Sequence, residues 1–109
     1  MRWFRRIWIS IRGFALWLKV GYPFMMLFLA VLGVALFKQV SWLHIWIILV
    51  LGTTLTIVEM INYAIERLCD VVQPKRDGRI KDIKDICSGA VLVAGLSLGV
   101  VGLWIIVVD

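Results

Sequence analysis

Three long stretches without a formal charge constrain this chain more than any other feature. Residues 20–37, 39–58 and 86–108 contain no Asp, Glu, Lys or Arg. At about 1.5 Å of rise per helical residue, roughly 20 such residues cross the hydrocarbon core of a bilayer. The composition agrees. Of the 109 residues, 62% are hydrophobic and 17% charged, more apolar material than a small water-soluble domain can hide. The same balance excludes a disordered chain, and the length excludes a multidomain enzyme. The expected fold class is all-α: one integral membrane domain over residues 1–109, with spans at 22–37, 40–72 and 80–108. The second span carries a cytoplasmic extension.

The basic residues orient these spans. Arg2, Arg5, Arg6, Arg12 and Lys19 precede the first span, and Arg67, Lys75, Arg76, Arg79, Lys81 and Lys84 flank or fill the second connection. Only Lys38 lies in the first connection. The positive-inside rule therefore places the N-terminus and the second connection in the cytoplasm, with Asp109 outside. A net charge of +5 suits attraction to an anionic inner leaflet; nucleic acid is not an expected partner, because no soluble reading element is present. Trp42, Trp46 and Trp104 fall where an outer aromatic belt belongs. Within residues 1–20 the five cations share one helical face, and Trp3, Phe4, Ile7, Trp8, Ile11, Phe14 and Leu18 share the other. That pattern predicts a separate interfacial helix, ended by Gly21 and Pro23. The cations are scattered and no small-residue cleavage site follows, so the segment does not read as a removable signal. Cys69 and Cys87 stand apart from any CxxC and read as reduced packing residues.

Polar groups enter the second span at its cytoplasmic half. Glu59, Asn62, Glu66 and Asp70 lie at offsets of 0, 3, 7 and 11, within about 80° of one another on a helix. Glu59 lies about 16 Å deeper than Asp70. A lone carboxylate near hydrocarbon costs a few kcal/mol, so this stripe is expected to face protein, water or a metal. The plainer alternative is a hydrogen-bond network that only holds the bundle together. On the third span Lys81, Lys84, Asp85 and Ser88 share one side, and Gly95, Gly99 and Gly102 form a small-residue stripe above them that permits close helix approach. Carboxylates and an amide bind Mg²⁺ through oxygen while lysine neutralises phosphate, so the mixed cluster suits a metal-bridged polyphosphate. No GxxxxGK[ST] or GxGxxG loop is present, which excludes the familiar soluble nucleotide-binding designs. Pro74 and the pair Asp77-Gly78 predict a short turn. His44 reads as a packed or solvated histidine, and Thr53, Thr54 and Thr56 as residues whose hydroxyls return to the helix backbone.

The pattern Glu59-x-x-Asn62-x-Ala64-Ile65-Glu66-x-x-x-Asp70, followed after thirteen residues by Lys84-Asp85-x-x-Ser88-Gly89-Ala90-Val91, resembles the prokaryotic diacylglycerol kinase family, which includes the undecaprenol kinases. The resemblance implies a homotrimer of three-span subunits in the bacterial inner (cytoplasmic) membrane. It also implies an active site at the cytoplasmic surface where ATP and Mg²⁺ are used to phosphorylate a lipid hydroxyl. Under it, Glu59 is the base for that hydroxyl and Asn62 positions the reacting groups. Glu66 is the metal-binding carboxylate and a nucleotide ligand, and Lys84 and Asp85 contact the nucleotide. The chemistry is coherent: a hydroxyl is a poor nucleophile at neutral pH, and a positioned carboxylate takes its proton. Charge stabilisation does most of the rest.

The chain departs from the family pattern twice. Members usually carry a further metal-binding glutamate before or at the start of the first span, whereas no residue before Glu59 is acidic here. A Tyr-His pair common in the second connection is replaced by Arg76-Asp77. The first departure keeps a second reading open, a non-catalytic relative serving as a membrane scaffold or binding subunit. A small transporter fits less well, because the first span offers no polar path. Gly89-Ala90-Val91 and Pro74 lean by resemblance toward the undecaprenol branch, with diacylglycerol close behind.

Overall fold

A computed structural model describes residues 2–109, which form three helices joined by two short connections. These are α1 (Arg2–Phe37), α2 (Trp42–Val72) and α3 (Gly78–Val108), each long and apolar enough to cross a membrane. The all-α, multi-pass architecture follows directly from the three charge-free stretches.

The separate N-terminal helix expected over residues 1–20 is absent from the described residues. Residue 1 lies outside them, and residues 2–20 are continuous with the first span, with Pro23 inside α1. A proline removes one helical hydrogen bond, but the remaining backbone in an apolar setting still has to satisfy itself internally, which favours carrying the helix through. Gly21 does not act as a breaker either. It is buried because the Trp17 ring, one turn earlier, lies across it, and a side chain at 21 would overlap that ring. The two-faced pattern of the first 20 residues survives as an exposed arm: residues 2–16 are all exposed.

Each helix presents a seam of three- and four-residue steps, the spacing of helices packed with nearly aligned axes. On α2 the buried residues Ile45, Ile48, Gly52 and Leu55 begin the seam, the half-buried Glu59, Asn62 and Glu66 continue it, and buried Cys69 ends it. On α3 it runs through Lys84, Cys87, Val91, Ala94, Leu98, Gly102 and Ile105, and on α1 through Trp17, Gly21, Phe24, Phe28, Val31 and Ala35. Gly52 is a socket for the Phe28 ring, and a Cβ on Gly102 would come within 2.9 Å of Val31 Cγ1. The expected glycine stripe is thus only partly used within the chain. Gly102 seats α1, Gly95 faces Leu55 across α2, and a Cβ on Gly99 would meet open space.

The apolar core lies toward the Lys38 end and consists of Ala35, Val40, Ile45, Ile48, Leu55, Ala94, Leu98 and Ile105. That end is also tied by polar contacts. Gln39 adopts φ 58°, Gln39 N–H donates to Leu36 O (3.1 Å) and Val40 N–H to Ala35 O (3.2 Å), the pattern of a Schellman close. Ser41 N–H donates to Asp109 Oδ2 (3.0 Å), His44 pairs with the same carboxylate, and Lys38 donates to Ile106 O. The His44 ring also meets Trp104 edge-on with centroids 6.2 Å apart. Thr54 and Thr56 return their hydroxyls to Val50 O and Gly52 O as expected. Both cysteines are free, Cys69 buried and Cys87 half-buried.

Candidate functional site

The polar stripe of α2 occupies the packing seam itself. Beyond Leu55 the heptad positions that should hold aliphatic residues hold Glu59, Asn62 and Glu66, so these side chains point between helices rather than toward lipid. Among the described residues neither glutamate forms an ion pair. Glu59 Oε2 and Asn62 Oδ1 are buried without a hydrogen-bond partner, a state that costs about 1–3 kcal/mol per group. Such a concentration of unmet bonding capacity at one depth is unusual for residues whose only task is packing.

The opposite seams are almost entirely apolar at this depth. Phe28 on Gly52 fixes the register of α1 against α2. Counting eleven residues along each helix from that pair brings Trp17 level with Tyr63, one residue from Asn62. Trp17 is 2% exposed, and its Nε1 is also buried without a partner. From α3, Cys87 and Val91 occupy the corresponding seam positions.

Toward the chain's second connection the chemistry changes from orphaned to paired. Lys84 Nζ contacts Asp70 Oδ1 at 2.6 Å, joining α3 to α2, and Lys81 Nζ contacts Asp85 Oδ2 at 2.9 Å within α3. These two pairs border a groove of about 630 Å³ closed on its far side by the connection, from Gln73 to Gly78. Asp77 caps α3, accepting from Arg79 N–H at 2.8 Å and pairing with the Arg79 guanidinium. The guanidinium, and after it the backbone N–H, holds the Asp77 carboxyl below its ordinary value. Lys84, Asp85 and Asp70 therefore open on the groove, while Glu59, Asn62 and Glu66 lie deeper on the seam and do not line it. Of the acidic stripe, it is Asp70 that Lys84 takes as its partner.

No group of three or more His, Cys, Asp and Glu side chains gathers to hold a metal among the described residues. The donors that are present still fit Mg²⁺. All are oxygens, Glu66 among them without an ion-pair partner, and Mg²⁺ commonly binds through one or two carboxylates while phosphate oxygens and waters complete its shell. Sequence reasoning did not anticipate Trp17, whose signal was its place four residues before Gly21 on the α1 seam, nor the His44–Asp109 pair, which joins residues 65 apart in the chain.

Comparison with known proteins adds one finding. A family model described as prokaryotic diacylglycerol kinase matches residues 9–106. No curated protein and no solved structure matches the chain.

Proposed function

The chain belongs to the prokaryotic diacylglycerol kinase family, and on that premise we propose how its own residues divide the work of the reaction. The general activity follows from membership: ATP- and Mg²⁺-dependent phosphorylation of a membrane lipid hydroxyl by a lipid kinase.

Glu59 is the general base. It accepts the proton of the lipid hydroxyl as the lipid oxygen bonds to the γ-phosphorus. The bond from that phosphorus to the bridging oxygen breaks, and ADP leaves with the electron pair. Asn62, one turn along the same seam, holds the hydroxyl and the phosphoryl group in line. Lys84 and Asp85 bind the nucleotide at the groove, where Lys84 exchanges part of its interaction with Asp70 for phosphate. Glu66, between these two levels, would hold the Mg²⁺ of the nucleotide, and that ion would supply charge neutralisation to the transferring phosphate. The observation that carries this assignment is the placement of three oxygen-bearing side chains on a packing seam, two of them with buried, unpartnered oxygens.

The second connection and the N-terminal arm belong on the cytoplasmic side of the bacterial inner membrane, since eleven of the twelve Lys and Arg residues lie there. The arm's cations lie against the anionic inner leaflet. Glu59, Asn62 and Glu66 are only half-covered in one chain, which supports a homotrimer in which neighbouring subunits close the site.

The test is ATP turnover by purified protein in vesicles containing diacylglycerol or undecaprenol, with Mg²⁺. Transfer to one of these lipids is expected, with undecaprenol favoured by resemblance. Glu66→Gln is expected to abolish Mg²⁺-dependent turnover while the protein still assembles, measured by cross-linking and by the helical circular dichroism signal. Full turnover by Glu66→Gln removes Glu66 from the metal site. A wild type that phosphorylates neither lipid leaves the scaffold reading.

A further inference from the structure

Trp17 is the one polar side chain on the buried seam of α1, whose other members are Gly21, Phe24, Phe28, Val31 and Ala35. Its indole N–H is a donor with no acceptor function, and buried indole N–H groups ordinarily find a partner. This one has none, although the residue is only 2% exposed. Its ring is fixed by packing across Gly21 and beside Phe14, with centroids 5.7 Å apart, so the N–H is held in place before any ligand arrives.

The orphaned atoms at this depth are complementary to a single kind of guest. Glu59 Oε2 and Asn62 Oδ1 are acceptors and Trp17 Nε1 is a donor, yet none bonds another. A group that satisfies all three offers a proton to the α2 side and an oxygen to the α1 side. A lipid hydroxyl meeting a phosphoryl group does both: the hydroxyl donates to Glu59, and a phosphoryl oxygen accepts from the indole. By the register that Phe28 on Gly52 sets, Trp17 falls level with Tyr63, next to Asn62 and between Glu59 and Glu66 along α2, the depth assigned above to the transferring group.

We infer that Trp17 is a catalytic residue of this kinase, its indole N–H donating a hydrogen bond to an oxygen of the phosphoryl group in transit. The inference rests on the active-site reading given above. A neutral, pre-oriented donor aimed at developing negative charge stabilises the transition state without reorganisation. In this chain, where α1 contributes no carboxylate, the donor is what the first helix brings to the reaction.

Two replacements separate the N–H from the ring. Trp17→Phe keeps an aromatic ring over Gly21, and replacement of Trp17 by 3-benzothienylalanine keeps the full bicyclic shape with sulfur in place of N–H. Both are assayed in vesicles with whichever of the two lipids the wild type phosphorylates. The expected result is a fall in kcat of about 100-fold in each, with KM for ATP and lipid nearly unchanged and the melting temperature of the 3-benzothienylalanine protein equal to that of wild type. Wild-type kcat in the 3-benzothienylalanine protein overturns the inference, whether or not Trp17→Phe is folded, because the ring alone then suffices. A matched rise in KM with unchanged kcat also overturns it, since it assigns Trp17 to ground-state binding. Failure of the wild type itself to phosphorylate either lipid overturns the active-site reading instead, and this inference with it.

Discussion

Gln39 is the residue at which this chain departs furthest from ordinary backbone. Its φ of 58° places an L-residue in the left-handed region, at a cost of about 1 kcal/mol, so that α1 can close on Leu36 O and Ala35 O and deliver buried Val40 to the core. Gln39→Gly relieves the strain, although glycine gives up more chain entropy. A net gain of about 0.5 kcal/mol is expected, read from thermal unfolding in detergent, because the same left-handed conformation at a helix end is where glycine is normally found. Nothing at this position announced a turn, since neither Gly nor Asn stands between the first two helices. The sequence did disclose the polar residues and their shared side of α2, because angular position follows from spacing alone. It did not disclose which group pairs with which. Lys84 chooses Asp70 over Glu66 through the vertical register of α2 and α3, a tertiary quantity that no single helix encodes.

At the scale of the helices, the glycines divide by what faces them. Gly52 receives the Phe28 ring and Gly99 faces open space, though both lie in the middle of apolar helices. Gly52→Ala forces Phe28 off its seat and is expected to destabilise the bundle by about 1–3 kcal/mol. Gly99→Ala meets no neighbour within the chain and is expected to stabilise it by as much as about 1 kcal/mol through helix propensity. Thermal unfolding of the monomer in detergent distinguishes the two. Helix α1 teaches the complementary lesson. Gly21 and Pro23 look like punctuation in isolation, and the two-faced pattern of the first 20 residues invites a separate helix. The helix continues because its backbone has to satisfy itself in an apolar setting, and Gly21 then seats the Trp17 ring, a contact between two residues of one helix that composition does not distinguish from a break.

At the scale of the whole molecule, the ends of the bundle are built differently. Asp109 draws the end of α3 onto the start of α2 through Ser41 N–H and His44, and these bonds, the histidine's first, hold its carboxyl below its ordinary value. A carboxylate whose value is lowered by folding contributes stability that is fully present above its unfolded value, near pH 4, and is lost as pH falls through the lowered folded value. Wild type is therefore expected to lose melting temperature on acidification below about pH 4, and Asp109→Asn to start lower at neutral pH and lose less over that window. Differential scanning calorimetry from pH 7 to pH 3 measures both.

The apolar core gathers at the Lys38 end, and the opposite half of the α2 seam holds glutamate and asparagine where leucine would fasten it. The bundle is in effect a clothes-peg, sprung at one end and loosely gripped at the other. Separating its jaws breaks few apolar contacts while the spring stays closed.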